Sequence, residues 1–98
     1  MDPKLEWDEA KAAQNHAQRG LHFTMAGQFN WSTAQTRLDD RQDYAEDRFI
    51  SRGMIGDRLH TLIYTLRGDS LRIISLRKSN RREQIAYAAE TGRPIGNP

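Results

Sequence analysis

The spacing of apolar residues divides the chain into helix, strands and helix. Between Glu9 and about Arg19, Ala10, Ala13 and Ala17 recur at helical spacing, predicting a first helix. Asp8 is placed to cap it, Glu9 lies at its positive end, and Gly20 follows as a left-handed stop. Leu5 and Trp7 are apolar anchors in a short lead, and Lys11 and Asn15 share a neighbouring face that points either to a site or to water. Leu21 and Phe23 lead into a short second helix from about Met25 to Phe29, with Thr24 as its cap, Ala26 and Phe29 buried, and Trp31 closing it. Trp7 and Trp31 are read as packing residues rather than a base-stacking platform.

The period then shortens. Residues Thr33 to Asp39 alternate as a strand does, and Asp39 to Asp43 is polar enough for a loop. In a strand from Tyr44 to Gly53, Glu46, Arg48 and Ile50 would share a face; Glu46 beside Arg48 is then either a structural ion pair or a catalytic pair. Gly56-Asp57 marks a turn, Leu59 to Leu66 a strand, Arg67-Gly68-Asp69 a tight turn and Leu71 to Leu76 a further strand. This is a β-meander of at least three strands, with His60 an edge or packing residue. Asn80 and Glu83 have the spacing of a capping box, so a last helix runs to about Glu90 with Ile85, Ala86 and Ala89 inward, a Glu83–Tyr87 pair and Gly92 as its stop. Residues 1–92 read as a single domain and 93–98 as a loosely held tail.

Composition narrows the classes. A chain of 98 residues with 37% hydrophobic and 29% charged positions is one small domain with many wet or partner-facing surfaces. No apolar run is long enough to span a membrane and the N-terminus is not signal-like, which points to the cytosol. There is no cysteine, and His16, His22 and His60 are scattered, so any catalysis is expected to need neither metal nor cofactor. Residues 1–47 carry five Lys/Arg against nine Asp/Glu, and residues 48–98 carry ten against four. The halves can attract each other in the fold, but twelve arginines against three lysines favour an anionic ligand or a GC-rich coding sequence.

The cations concentrate at one junction. Arg72, Arg77, Lys78, Arg81 and Arg82 surround the passage from the last strand to the last helix, a phosphate cradle in outline and an expected RNA-binding surface. Strict alternation puts Arg72 and Arg77 on opposite faces unless a twist or bulge intervenes.

Three blocks in order carry a resemblance: Trp7-Asp8-x-x-Lys11-x-x-x-Asn15 with Gly20, then Glu46-x-Arg48, then Arg72-Ile73-Ile74-Ser75-x-Arg77-Lys78 with Glu83 and Tyr87. Over roughly residues 5–90 the chain resembles the BrnT toxins of bacterial type II toxin–antitoxin systems, which are similar in fold to the RelE ribonucleases. The resemblance implies an α+β fold with two N-terminal helices, an antiparallel sheet of about four strands and a C-terminal helix. It implies a metal-independent endoribonuclease, silenced in a hetero-oligomer by a BrnA-type antitoxin that alone contacts DNA. On that basis Glu46, Arg48, Arg72 and Arg77 are the catalytic candidates. Glu46 would be the base and Arg48, Arg72 and Arg77 would hold phosphate, Lys11 or Tyr87 would orient or protonate, and Arg19, Lys78 and Arg81 would bind substrate.

Two positions depart from the family pattern. Gln18-Arg19-Gly20 stands where many members read Lys-His-Gly, and Ala45 precedes the Glu-x-Arg pair where glycine is common. The missing histidine supports a competing reading, a non-catalytic basic module that binds RNA or an antitoxin. A third reading is a structural domain whose charged faces serve one protein partner.

Overall fold

In the computed structural model residues 3–93 are described; the expected tail lies, from residue 94 on, outside the described residues. A three-residue strand, β1 (Lys4–Glu6), opens the fold where the sequence suggested only a lead. The Asp8 carboxylate accepts the Lys11 amide, starting α1 (Glu9–Arg19), and Gly20 ends it at φ 74°. A 3₁₀ helix over Phe23–Gln28 follows, capped by His22 rather than Thr24: the ring Nδ1 of His22 accepts the Thr24 amide. Then come β2 (Asn30–Leu38), β3 (Phe49–Ile55), β4 (Arg58–Arg67), β5 (Ser70–Lys78) and α2 (Arg81–Thr91).

The strands form one five-stranded sheet in the order β1-β5-β4-β3-β2. It is mixed, not purely antiparallel, because β1 runs parallel to β5 with Leu5 opposite Leu71. The architecture is α+β, with one regular N-terminal helix and one 3₁₀ helix instead of two α-helices. Trp31 lies inside β2, and residues 44–48 belong to the β2–β3 loop rather than to a strand. That loop is held by the Asp39 carboxylate, which accepts Nε and Nη2 of Arg41 at 2.7 and 2.8 Å, while the Asp39 amide donates to the Arg48 carbonyl. No helix among the described residues is long and apolar enough to cross a membrane.

α1 and the 3₁₀ helix cover one face of the sheet. Ala12, Phe23, Ala26 and Phe29 pack there against Leu62, Tyr64, Leu71, Ile73 and Leu76. Each large apolar side chain so enclosed contributes about 1.5–3 kcal/mol. The helical face that packs is Ala12 and Asn15; Ala10, Ala13 and Ala17 are exposed. Alanine is too small for its spacing to choose a face, and Asn15 chooses it instead. Its Nδ2 donates to the carbonyls of Leu76 at 2.9 Å and Leu21 at 2.8 Å, and its Oδ1 accepts the Leu76 amide at 3.2 Å.

Candidate active site on the open sheet face

The register of β4 with β5 shifts between Ile63↔Ser75 and Tyr64↔Ile73, leaving Ile74 as an extra residue. The bulge reverses the alternation, so Ile73 and Leu76 both enter the core while Arg72, Ser75 and Arg77 all turn to the opposite face. The bulge thus puts the two arginines on one face. Cross-strand rows fill in the rest of that face: Arg77, Thr61 and Arg52 form one row, and Ser75, Ile63 and Ile50 the next. Arg72 lies beyond, opposite Thr65, about 13 Å from the Arg77 row at the usual rise per residue.

One carboxylate closes the first row. Both oxygens of Glu83 accept from Arg77, at 2.6 and 2.8 Å, and Nη2 of Arg52 approaches Oε2 at 3.4 Å. Glu83 also completes the capping box: Asn80 Oδ1 accepts the Glu83 amide and Glu83 Oε1 accepts the Asn80 amide. The bond from Arg77 is the main reason the Glu83 carboxyl is held at about 2, far below 4.5, and the same bond raises the Arg77 guanidinium. Two donors at the start of α2, the Asn80 and Glu83 amides, are therefore already used by the chain's own side chains. Of the cations expected to form a cradle at this junction, Arg77 is engaged by Glu83, and Arg52 on the sheet joins it there.

The stripe that α2 lays on the sheet is Glu83, Tyr87 and Glu90, spaced i, i+4, i+7. The Tyr87 hydroxyl donates to the Thr33 carbonyl at 2.6 Å, and Gln35 Nε2 donates to Glu90 Oε2. The helix thus crosses from β5 to β2. Gln84 and Tyr87 are its buried residues, whereas Ile85, expected inward, is 49% exposed and Ala89 is exposed as well. Polar bonds, not an apolar stripe, set the rotation of α2. Nor does Glu83 pair with Tyr87.

The remaining candidates are dispersed. Glu46 accepts from Arg67 at 3.2 Å, not from Arg48, whose guanidinium lies 4.0 Å over the Tyr44 ring. Residues 46–48 precede β3, so the two side chains are not set side by side by strand geometry. Arg72 is 3.9 Å from Glu6. Tyr87, expected to orient substrate, is 1% exposed and its hydroxyl donates to the Thr33 carbonyl. Lys11 and Arg19 line a groove of 240 Å³ where α1 passes Ile74 and Ser75 at the outer edge of β5. Lys78 and Arg81 are exposed near the start of α2. Arg52 was missed by sequence reasoning. The only available signal was its alternation with Ile50 and Arg48, which says nothing until β3 is placed opposite β4.

Comparison with known proteins agrees with this architecture. The family model described as the ribonuclease toxin BrnT of type II toxin–antitoxin systems matches residues 7–83. The crystal structure of the Brucella abortus ribonuclease toxin BrnT is similar at 25% identity and a TM-score of 0.64, over 82% of this chain and 100% of that one. No curated protein matches the chain. With most of its length inside the family model, and a sheet-and-helix frame shared with a solved member, the chain belongs to the BrnT family of ribonuclease toxins of type II toxin–antitoxin systems.

Proposed function

We propose that this chain is itself an active endoribonuclease that needs no metal, and that its cleavage centre is the Arg52–Arg77–Glu83 group. The observation that carries the proposal is the convergence of two guanidiniums on one carboxylate, part-buried where α2 meets the sheet. Two cations arranged around one anion suit a phosphate in the same seat. RNA entering that seat competes with Glu83 for Arg77 and returns the freed carboxylate toward its ordinary basicity.

In the reaction, the 2′-hydroxyl gives its proton to a carboxylate and its oxygen attacks the neighbouring phosphorus. The P–O5′ bond breaks, the 5′-oxygen leaves with a proton from an acid, and a 2′,3′-cyclic phosphate remains. Arg77 and Arg52 neutralise the charge gathered on the phosphoryl oxygens. Glu83, once the phosphate has displaced it from the guanidiniums, is the adjacent carboxylate that takes the proton; Glu46 is the second candidate. Lys11 and Arg19, in the groove beside Ser75, and Arg48, Arg72, Lys78 and Arg81 hold the flanking strand. An antitoxin of the BrnA type would silence the enzyme by covering this face in a heteromeric complex.

The second reading, a non-catalytic RNA-binding module, is favoured by Arg19 at the position of the family histidine. Incubating the purified chain with a long RNA in chelator, beside Arg77→Ala, Glu83→Gln and Glu46→Ala variants with native circular dichroism, decides between them. Cleavage lost in a folded Arg77→Ala variant supports the nuclease. Salt-sensitive RNA binding by the unmodified chain without cleavage, with and without ribosomes, supports the module.

A further inference from the structure

Next to the Arg52–Arg77–Glu83 group, between α2 and the edge strand β2, lies a cavity of 180 Å³. It is lined by Gln35, Thr36, Arg37, Ile50, Arg52 and Glu90. Arg52 belongs both to this wall and to the proposed phosphate seat, so the two are continuous. An RNA strand with a phosphate at Arg52 brings an adjoining part of itself to the mouth of this cavity.

The donors and acceptors of the cavity discriminate among the bases. Glu90 is a carboxylate with no cation within ion-pair distance among the described residues, although two guanidiniums share its cavity. Its orientation is fixed by the bond from Gln35 Nε2 to Oε2. An ionised carboxylate only accepts hydrogen bonds. Unstacked bases of single-stranded RNA are read on their Watson–Crick edges, and only guanine shows two adjacent donors there, N1–H and N2–H. Adenine and cytosine each set a ring-nitrogen acceptor beside their amino group, which faces the second carboxylate oxygen unfavourably. Uracil flanks its single donor with two carbonyls. Ile50 offers an apolar floor for a ring face, and Arg52 Nε is a buried donor with no hydrogen-bond partner among the described residues.

We infer that this cavity is a guanine-reading subsite: Glu90 accepts the N1–H and N2–H of one guanosine, Ile50 supports the ring, and Arg37 and Arg52 hold its phosphate. The inference rests on the nuclease reading for its place in catalysis, and it makes guanine the base that sets where the strand is cut.

The test uses the 98-residue chain and GMP, AMP, CMP and UMP in turn, followed by amide chemical shifts. GMP is expected to shift residues 35, 50, 52 and 90 and to bind about tenfold more tightly than AMP, the discrimination of one bidentate base contact. Glu90→Gln replaces one acceptor by a donor and is expected to erase that preference; Glu90 is exposed, so the fold is retained. Equal binding of GMP and AMP, or no shift at these residues with any nucleotide, overturns the subsite. Mapping of cleavage ends on a long RNA separates this inference from the nuclease itself. Cutting without guanine bias refutes the subsite and leaves the nuclease intact, whereas GMP-selective binding by a chain that cuts nothing supports the subsite and refutes the nuclease.

Discussion

Asn15 and Leu76 are 61 positions apart, yet the Asn15 carboxamide makes both hydrogen bonds that a neighbouring strand would make to the Leu76 backbone, at 2.9 and 3.2 Å. Only residues 70–72 of β5 are covered on that side by β1, and one side chain of α1 extends the cover. Buried as it is, Asn15 leaves a backbone donor and acceptor unpaired if it is shortened. Asn15→Ala is therefore expected to cost about 2–4 kcal/mol. Urea unfolding checks it: the midpoint should fall with an unchanged slope, and a loss below about 0.5 kcal/mol would deny Asn15 this role.

Gly53 faces Phe29 across the core, and a Cβ there would stand 2.6 Å from the Phe29 ring. Because Phe29 is buried against Trp31 it has little room to retreat. Gly53→Ala should destabilise by about 1–3 kcal/mol, read as a lowered Tm in calorimetry.

Acid should unfold the protein through two named carboxylates. The bidentate bonds from Arg41 hold Asp39 at about 2, and those from Arg77 hold Glu83 at about 2, against ordinary values of 3.8 and 4.5. A carboxyl whose folded pKa is depressed gives its full stabilisation above the unfolded value and loses it as pH falls toward the folded one. Stability is thus expected to be flat near neutrality and to decline from about pH 4.5 down to 2. Glu83→Gln should flatten the upper part of that decline, and identical pH curves for the variant and the native chain would show that Glu83 is not the titrating group.

These residues also show what the sequence disclosed and what it did not. Asp8, Gly20, Gly92 and the Asn80–Glu83 box were read correctly because a cap is a contact within four residues. The turn after Arg67 and the strand that follows were equally local. What needed the fold was the Ile74 bulge, visible only against the register of β4, and Arg52, meaningful only once β3 and β5 flank β4. Helix faces misled for a physical reason: α1 and α2 are oriented by polar anchors, Asn15 in one and Glu83 with Tyr87 in the other, so apolar periodicity had little to report.

Tyr87→Phe separates packing from chemistry. Removing the hydroxyl deletes one buried bond to the Thr33 carbonyl and should lower stability by about 1 kcal/mol. RNA cleavage, measured well below the variant's Tm, should stay within about twofold of the native rate, since ΔΔG‡ near zero is expected of a side chain that touches no substrate. A loss of a hundredfold would return Tyr87 to the site.

Arg77→Lys should be nearly as damaging as Arg77→Ala, because an ammonium cannot reproduce the two-pronged grip on Glu83 or on a phosphate. A drop in cleavage rate of about 10²–10³ is expected for the loss of such a contact. Single-turnover rates at saturating RNA measure it, and near-native rates for the lysine variant would remove Arg77 from the reacting phosphate.

The placement of Glu83 makes one carboxylate answer to two masters. It is the knot that ties α2 to the sheet, and in the proposed chemistry it is also the tenant that substrate evicts. In that reading RNA frees the first turn of α2, while the bonds of Tyr87 and Glu90 to β2 keep the rest of the helix in place. If Glu83 has that part, changes that bind it more firmly to Arg77 would yield a sturdier chain that cuts more slowly.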